Sequence, residues 1–274
     1  MKTLTFVFDD NVLNYQTYGS GKNIFLAFHG YAQNHEVFRN FASTLGEDYK
    51  IFSFDLFMHG QSNWRNKKNK LSKEYWKIII SEFLLENNIN VFSLLGFSMG
   101  GKFVLAILES FPDKIQKVIL IAPDGVNTNF WFSIATLPGW TGKLFKSVVI
   151  NPLNFQLITK VFRKLKIVDK GLVRFAEGQL KTREQRLRVY FSWIIFSDFK
   201  FNLKEIAGII NKNKIDLTIF VGKYDKVITE KNMKILIQLL KNPKLIVLET
   251  GHTFLIESVS KWITNNKLLF NIDI

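Results

Sequence analysis

The segment Gly96-Phe97-Ser98-Met99-Gly100-Gly101 fits the pattern G-x-S-x-G. It follows an apolar run, Asn90–Gly96, and opens a helical pattern, Met99–Ser110. A serine on a sharp strand-to-helix turn presents its hydroxyl to whatever lies above the turn, at the cost of backbone strain. Side chains on either side of such a turn would collide, so Gly96 and Gly100 leave room. The helix N-terminus then favours negative charge developing near Ser98. A serine hydroxyl is a weak nucleophile until a base within hydrogen-bond reach takes its proton. Four histidines could supply that base, namely His29, His35, His59 and His252. The chain has no cysteine, which excludes a thiol nucleophile, a thiolate metal site, an iron–sulfur cluster and a disulfide scaffold.

The elements that must position these residues read as an alternation. Asn23–His29, Lys50–Asp55, Asn90–Gly96, Ile115–Ala122, Asp216–Gly222 and Lys244–Glu249 are short runs rich in Val, Ile, Leu and Phe. Such runs predict strands covered on both faces. Ser72–Asn87, with Ser72 as N-cap, Met99–Ser110 and Lys231–Lys241 predict helices between them. Strand–helix–strand repetition implies an α/β fold, a mostly parallel sheet with helices on both faces. Leu4–Phe8 and Val12–Tyr18, joined through Asp9-Asp10-Asn11, predict an antiparallel hairpin at the sheet edge. From Asp124 to Lys200 the rhythm breaks. The stretch is rich in aromatics: Phe130, Trp131, Phe132, Trp140, Phe145, Phe155, Phe162, Phe175, Tyr190, Phe191, Trp193 and Phe196. A structureless loop of that length does not suit a compact domain, so a helical insertion is expected.

Over nearly its whole length the chain resembles the α/β-hydrolase fold family. Phe28-His29-Gly30-Tyr31 looks like the family's His-Gly oxyanion loop. Asp55-Leu56-Phe57-Met58-His59-Gly60-Gln61-Ser62 is similar to its D-x-P-G-H-G-x-S turn, with Phe57 for the usual Pro and Met58 for the usual Gly. Val221-Gly222-Lys223-Tyr224-Asp225 looks like the strand end that supplies an acid, and Gly251-His252 like the histidine loop. The order Ser98, Asp225, His252 is the one this fold uses. The resemblance implies Ser98 as nucleophile, His252 as general base and Asp225 as the group that holds the imidazole. The backbone N–H groups of Tyr31 and Met99 would meet the oxyanion. Tyr31, Met99 and the insertion aromatics would line the substrate pocket. Asp124, ending the strand Val118–Ala122, is the alternative acid. His29 and His59 read as structural, His35 as a surface residue, and Asp55 as the acceptor that holds its turn.

The family arrangement implied is a core from residues 1–123 and 201–274, with a helical cap, 124–200, inserted after strand six. Serine at position 98, in place of the aspartate of the dehalogenase and epoxide hydrolase branches, implies acyl transfer, usually to water. The activity expected is hydrolysis of a carboxylic ester with an apolar acyl or aryl group. Alternatives on the same fold are a thioesterase or carrier- or CoA-linked ester hydrolase, a C–C bond hydrolase, and the menaquinone-type synthase. The last carries Arg where this chain has Lys102. From another class, the fold also serves as a ligand receptor. Neither a cofactor nor a metal is expected.

The 274 residues carry 37 Lys and Arg against 23 Asp and Glu, a formal charge of +14. Residues 124–200 hold 13 of the cations and only 5 of the anions. Three readings stand: a solvated surface, docking of an acidic carrier protein or anionic substrate, and attachment to an anionic membrane surface. No motif points to nucleic acid. The start of the chain carries an apolar stretch too short for a signal peptide, and no window reaches the length of a membrane span, so a cytoplasmic protein is expected.

Overall fold

The computed structural model describes residues 3–65, 69–126 and 180–267, together with positions 147, 151, 153 and 178. By Cα packing the chain divides into two compact units. The first comprises Met1–Arg65, Ser72–Asn127 and Phe199–Ile274; the second comprises Asn66–Leu71 and Thr128–Asp198.

The first unit is built on one eight-stranded sheet. Its strands are β1 (Leu4–Phe8), β2 (Asn11–Tyr18), β3 (Asn23–Phe28), β4 (Tyr49–Phe54), β5 (Phe92–Phe97), β6 (Ile115–Ile121), β7 (Asp216–Gly222) and β8 (Lys244–Leu248). Their order is β1-β2-β4-β3-β5-β6-β7-β8. The hairpin β1–β2 and the β2–β4 pair are antiparallel, and every other pair is parallel. Asp9 and Asp10 both adopt positive φ, at 47° and 64°. Two such residues make the turn whose twist matches a two-residue hairpin, so Asn11 already belongs to β2.

Chain order reverses beside β3: β4 lies on one side of it and β5 on the other. Right-handed crossovers then place α1 (Arg39–Leu45) on one face and α2 (Lys73–Glu86) and α3 (Gly100–Ser110) on the opposite face. The packing agrees. α1 packs on α7 (Leu255–Asn265), while α3 packs on α2 and on α5 (Leu203–Asn213), which packs on α6 (Glu230–Leu239). With both faces covered, β5 is buried along its whole length, as its continuous apolar sequence requires. Beneath the strand ends an aromatic cluster fixes the layers: Phe28 stacks on Phe54 at 5.2 Å, and Trp76 meets Phe103 edge-on at 5.2 Å. Each such side chain taken out of water contributes about 1.5–3 kcal/mol. β8, at the far edge, differs from the expectation of strands covered on both faces, since its residues are half-buried or exposed.

In the second unit, α4 (Arg183–Ile195) begins at a capping box in which Thr182 and Gln185 satisfy each other's backbone N–H groups. The Leu71 N–H donates to the Ile195 carbonyl at 2.8 Å, and Lys70 pairs with Asp198 at 2.9 Å. Tyr190, Phe191, Trp193 and Phe196 lie on or at the end of this helix. The aromatics expected to line the pocket from Phe130 to Phe175 lie outside the described residues.

Candidate active site

Where strand order reverses, the C-terminal ends of two neighbouring parallel strands open a crevice, the usual ligand position in open α/β sheets. Here those strands are β3 and β5, with Phe28 opposite Gly96 in register. Beyond the end of β3 lies His29-Gly30-Tyr31, and beyond the end of β5 lies Ser98. Ser98 has φ +50°, a left-handed conformation that costs a residue with a side chain about 1–3 kcal/mol. Three hydrogen bonds hold its peptide groups there. Its N–H donates to the Ile121 carbonyl at 2.9 Å, and its carbonyl accepts from Gly101 at 2.9 Å and Asp124 at 2.8 Å. Gly100 lets α3 start this close, because a Cβ there would overlap the Phe28 carbonyl oxygen. Met99 is the N-cap of α3 and makes no side-chain cap hydrogen bond.

The structure brings Ser98, His252 and Asp225 together. Asp225 is 2% exposed. Its Oδ1 accepts the backbone N–H groups of Val227 at 2.7 Å and Ile228 at 2.9 Å. Its Oδ2 lies 2.6 Å from His252 Nδ1. An ionised carboxylate only accepts, so Nδ1 carries the proton and Nε2 is left as the acceptor. Nε2 faces Ser98 Oγ at 3.2 Å. Phe97 backs the imidazole, its ring 4.9 Å from that of His252. The loops carrying Asp225 and His252 are tied together, Tyr224 N–H donating to the Thr250 carbonyl at 3.0 Å. Asp124, the alternative acid, is occupied elsewhere: its Oδ2 is 2.9 Å from the Lys102 ammonium.

The remaining histidines brace the loops. His29 is fully buried. Its Nε2 accepts the Leu56 N–H at 3.0 Å, so Nδ1 carries the proton and donates to the Gly30 carbonyl at 2.6 Å. Burial, and then the neighbouring His59, hold its pKa down, from 6.5 to about 3. His59 is buried and stands edge-on to both His29 and Tyr31 at 5.3 Å. His35 is more than a surface residue: Nδ1 meets the Tyr18 hydroxyl at 2.9 Å, and its backbone N–H donates to Asp55 Oδ1 at 2.7 Å. Asp55 also accepts the Gln61 N–H at 3.0 Å, and a Cβ at Gly60 would overlap its carboxylate. Met58, which replaces the glycine usual in this turn, keeps a positive φ of 69°.

Two contacts at the site go beyond what the sequence predicts. The Phe97–His252 ring contact has a signal in the sequence, because Phe97 is the second residue of the elbow motif. The Lys102–Asp124 pair has only a weak one, a cation among the apolar residues of α3. Among the described residues no cluster of three or more His, Asp or Glu could hold a metal ion. Nor is any described helix long and apolar enough to cross a membrane.

Sheet order, crossover pattern and a serine elbow at the reversal point define an α/β-hydrolase fold. The family described as alpha/beta hydrolase fold matches residues 23–259, and the chain belongs to it. Over 103 residues the chain is 28% identical to a Mycoplasma genitalium protein whose name places it in an esterase/lipase class, covering 37% of this chain and 38% of that protein. The chain thus spans well under half the length of the curated relatives it matches first. Among solved structures it is similar to a thermophilic esterase from Thermogutta terrifontis, with TM-score 0.69, 12% identity and 100% of both chains covered. It is also similar to a bacterial membrane phospholipase A, with TM-score 0.68, 19% identity, and 99% of this chain and 86% of that one covered. These structural likenesses show the fold. Family membership and the esterase/lipase-named relative support a hydrolase.

Proposed function

We propose that the protein hydrolyses a carboxylic ester through an acyl-enzyme on Ser98. The observation that carries this reading is the hydrogen-bonded series from Asp225 Oδ2 through His252 to Ser98 Oγ, at 2.6 and 3.2 Å. Ser98 Oγ attacks the ester carbonyl carbon while its proton passes to His252 Nε2. The carbonyl oxygen becomes an oxyanion, met by the backbone N–H groups of Met99 and Tyr31. As the tetrahedral intermediate collapses, the C–O bond to the alcohol breaks and Nε2 returns the proton to the leaving oxygen. Water then attacks the acyl-enzyme, giving its proton to Nε2. Ser98 leaves with that proton and the carboxylic acid is released. Asp225 keeps Nδ1 protonated and stabilises the imidazolium of each step. The aromatic content of residues 124–200 favours an apolar acyl or aryl group.

The test is a p-nitrophenyl ester series of rising acyl length, run beside fluorophosphonate labelling. Many turnovers, and labelling at Ser98, are expected. Ser98→Ala should lower kcat by roughly 10⁴–10⁶ without unfolding the protein. Full activity in that variant, or a single covalent event without turnover, would remove the enzyme reading; the second result would favour a receptor.

A further inference from the structure

Lys102 stands four residues after Ser98, in the first turn of α3, with its side chain only 5% exposed. A buried ammonium is taken out of water, and at a helix N-terminus it also opposes the helix dipole. A methionine would fill similar space without either cost. The ammonium meets one carboxylate oxygen of Asp124, at 2.9 Å. Asp124 in turn reaches the elbow through its backbone, its N–H donating to the Ser98 carbonyl at 2.8 Å. The loop that carries Asp124 is itself unusual. Ala122 and Gly125, on either side of Pro123-Asp124, have φ of 40° and 101°. Asp124 Oδ1 accepts the Gly125 N–H at 2.8 Å. A Cβ on Gly125 would lie 3.2 Å from Lys102 Cγ, so the loop is seated directly on the lysine stem.

We propose that the Lys102–Asp124 pair is a positioning device for the Ser98 elbow. The lysine anchors the loop after β6 by its carboxylate, and the anchored loop presents the N–H that holds the Ser98 carbonyl. This rests on the reading of Ser98 as nucleophile. Its consequence is specific to the chemical step. Without the pair the loop relaxes, the strained elbow loses one of three hydrogen bonds, and Ser98 Oγ drifts from His252 Nε2. A displacement of about 1 Å at the reacting atoms can cost about a hundredfold in rate, whereas substrate contacts made elsewhere are untouched.

The experiment compares the full-length wild type with Lys102→Met, Lys102→Arg, Asp124→Asn and Ser98→Ala. It measures kcat and KM on a p-nitrophenyl ester, the fluorophosphonate labelling rate and thermal unfolding. Lys102→Met should lower kcat and the labelling rate about ten- to a hundredfold, with KM within about twofold of wild type. Lys102→Arg, which keeps the charge, should recover most of the rate. Asp124→Asn should resemble Lys102→Met, and it supplies the same readout if the methionine variant does not fold. Wild-type kcat in a folded Lys102→Met or Asp124→Asn protein would overturn the proposal. So would a loss confined to KM, or an arginine variant that recovers stability and not rate. In each of those cases Ser98→Ala would still abolish turnover. Wild-type protein without Ser98-dependent turnover or labelling would overturn the nucleophile reading, and this proposal with it.

Discussion

His29 makes the fold acid-sensitive in a calculable way. Its ring is fully buried, accepts the Leu56 N–H at Nε2 and donates from Nδ1 to the Gly30 carbonyl. A second proton on Nε2 would face the Leu56 N–H with no acceptor between them. Burial, and then the neighbouring His59, hold the pKa at about 3, against 6.5 for a free imidazole. Between those values the unfolded chain binds a proton that the folded chain refuses. Stability is therefore full above pH 6.5 and falls as pH drops through the window toward 3. At about 1.36 kcal/mol per pH unit, acidification to about pH 5 removes about 2 kcal/mol through this one residue. Urea unfolding of wild type and His29→Gln, from about pH 7.5 to about pH 5, isolates the contribution, because carboxylate effects are common to both. The wild type should lose about 2 kcal/mol more than the variant over that range. In the native protein the His29 ring proton resonances should not shift over the same range. Parallel loss of stability in the two proteins, or a native His29 resonance titrating near the free-imidazole value, would refute the reasoning.

Two further outcomes follow from the geometry and a third from the sequence. Asp225→Asn would place an amide donor against His252 Nδ1 and favour the wrong tautomer, so kcat should fall roughly 10⁴-fold, far more than for Asp124→Asn. Equal losses at the two positions would contradict the acid assignment, and steady-state kinetics on one ester decides it. Gly100→Ala would drive a Cβ into the Phe28 carbonyl, costing about 1–3 kcal/mol and lowering Tm by several degrees; an unchanged Tm in calorimetry would count against the close approach. If the cation surplus of residues 124–200 serves an anionic substrate, kcat/KM for an acyl-CoA should fall as salt rises from about 0.05 to about 0.5 M, with a neutral ester unaffected. Equal responses would leave the surplus as solvated surface.

The strands are legible in the sequence because each carries a period-two or continuous apolar run bounded by turn residues. The elbow is legible because its constraints are local: Gly96, Ser98 and Gly100 fall within five residues and answer to one backbone turn. Helices are less evident. α7 buries Leu255, Val259 and Ile263 at four-residue spacing, a readable stripe, yet it follows directly on the histidine loop, which masks its start. α1 has seven residues, too few for a period to declare itself. The choice between Asp225 and Asp124 cannot be made from chain order alone, since both end strands of the sheet. What separates them is a third residue, Lys102, whose carboxylate partner lies 22 positions away, and no spacing rule pairs residues across a sheet crossover. The turn around Met58 shows a similar limit. The backbone there is left-handed, as a glycine would make it, and only the fold reveals that a methionine tolerates the strain.

The three members of the site are not held equally, and the inequality suits the proposed chemistry. Ser98 is fixed through both of its peptide groups, and Asp225 through two N–H groups on one carboxylate oxygen. Both sit at the ends of inner strands of a covered sheet. His252 has no comparable frame: its carbonyl accepts one long bond, from Leu255 N–H at 3.4 Å, and its side chain is 16% exposed. Its close contact is with Asp225 at 2.6 Å, not with Ser98 at 3.2 Å. A base that serves one attack has no need of this asymmetry. A base that must face the Ser98 oxygen, then the leaving oxygen, then a water must keep one fixed anchor and let its other nitrogen change partners. Anchoring at Nδ1 supplies the first, and the longer 3.2 Å contact at Nε2 supplies the second.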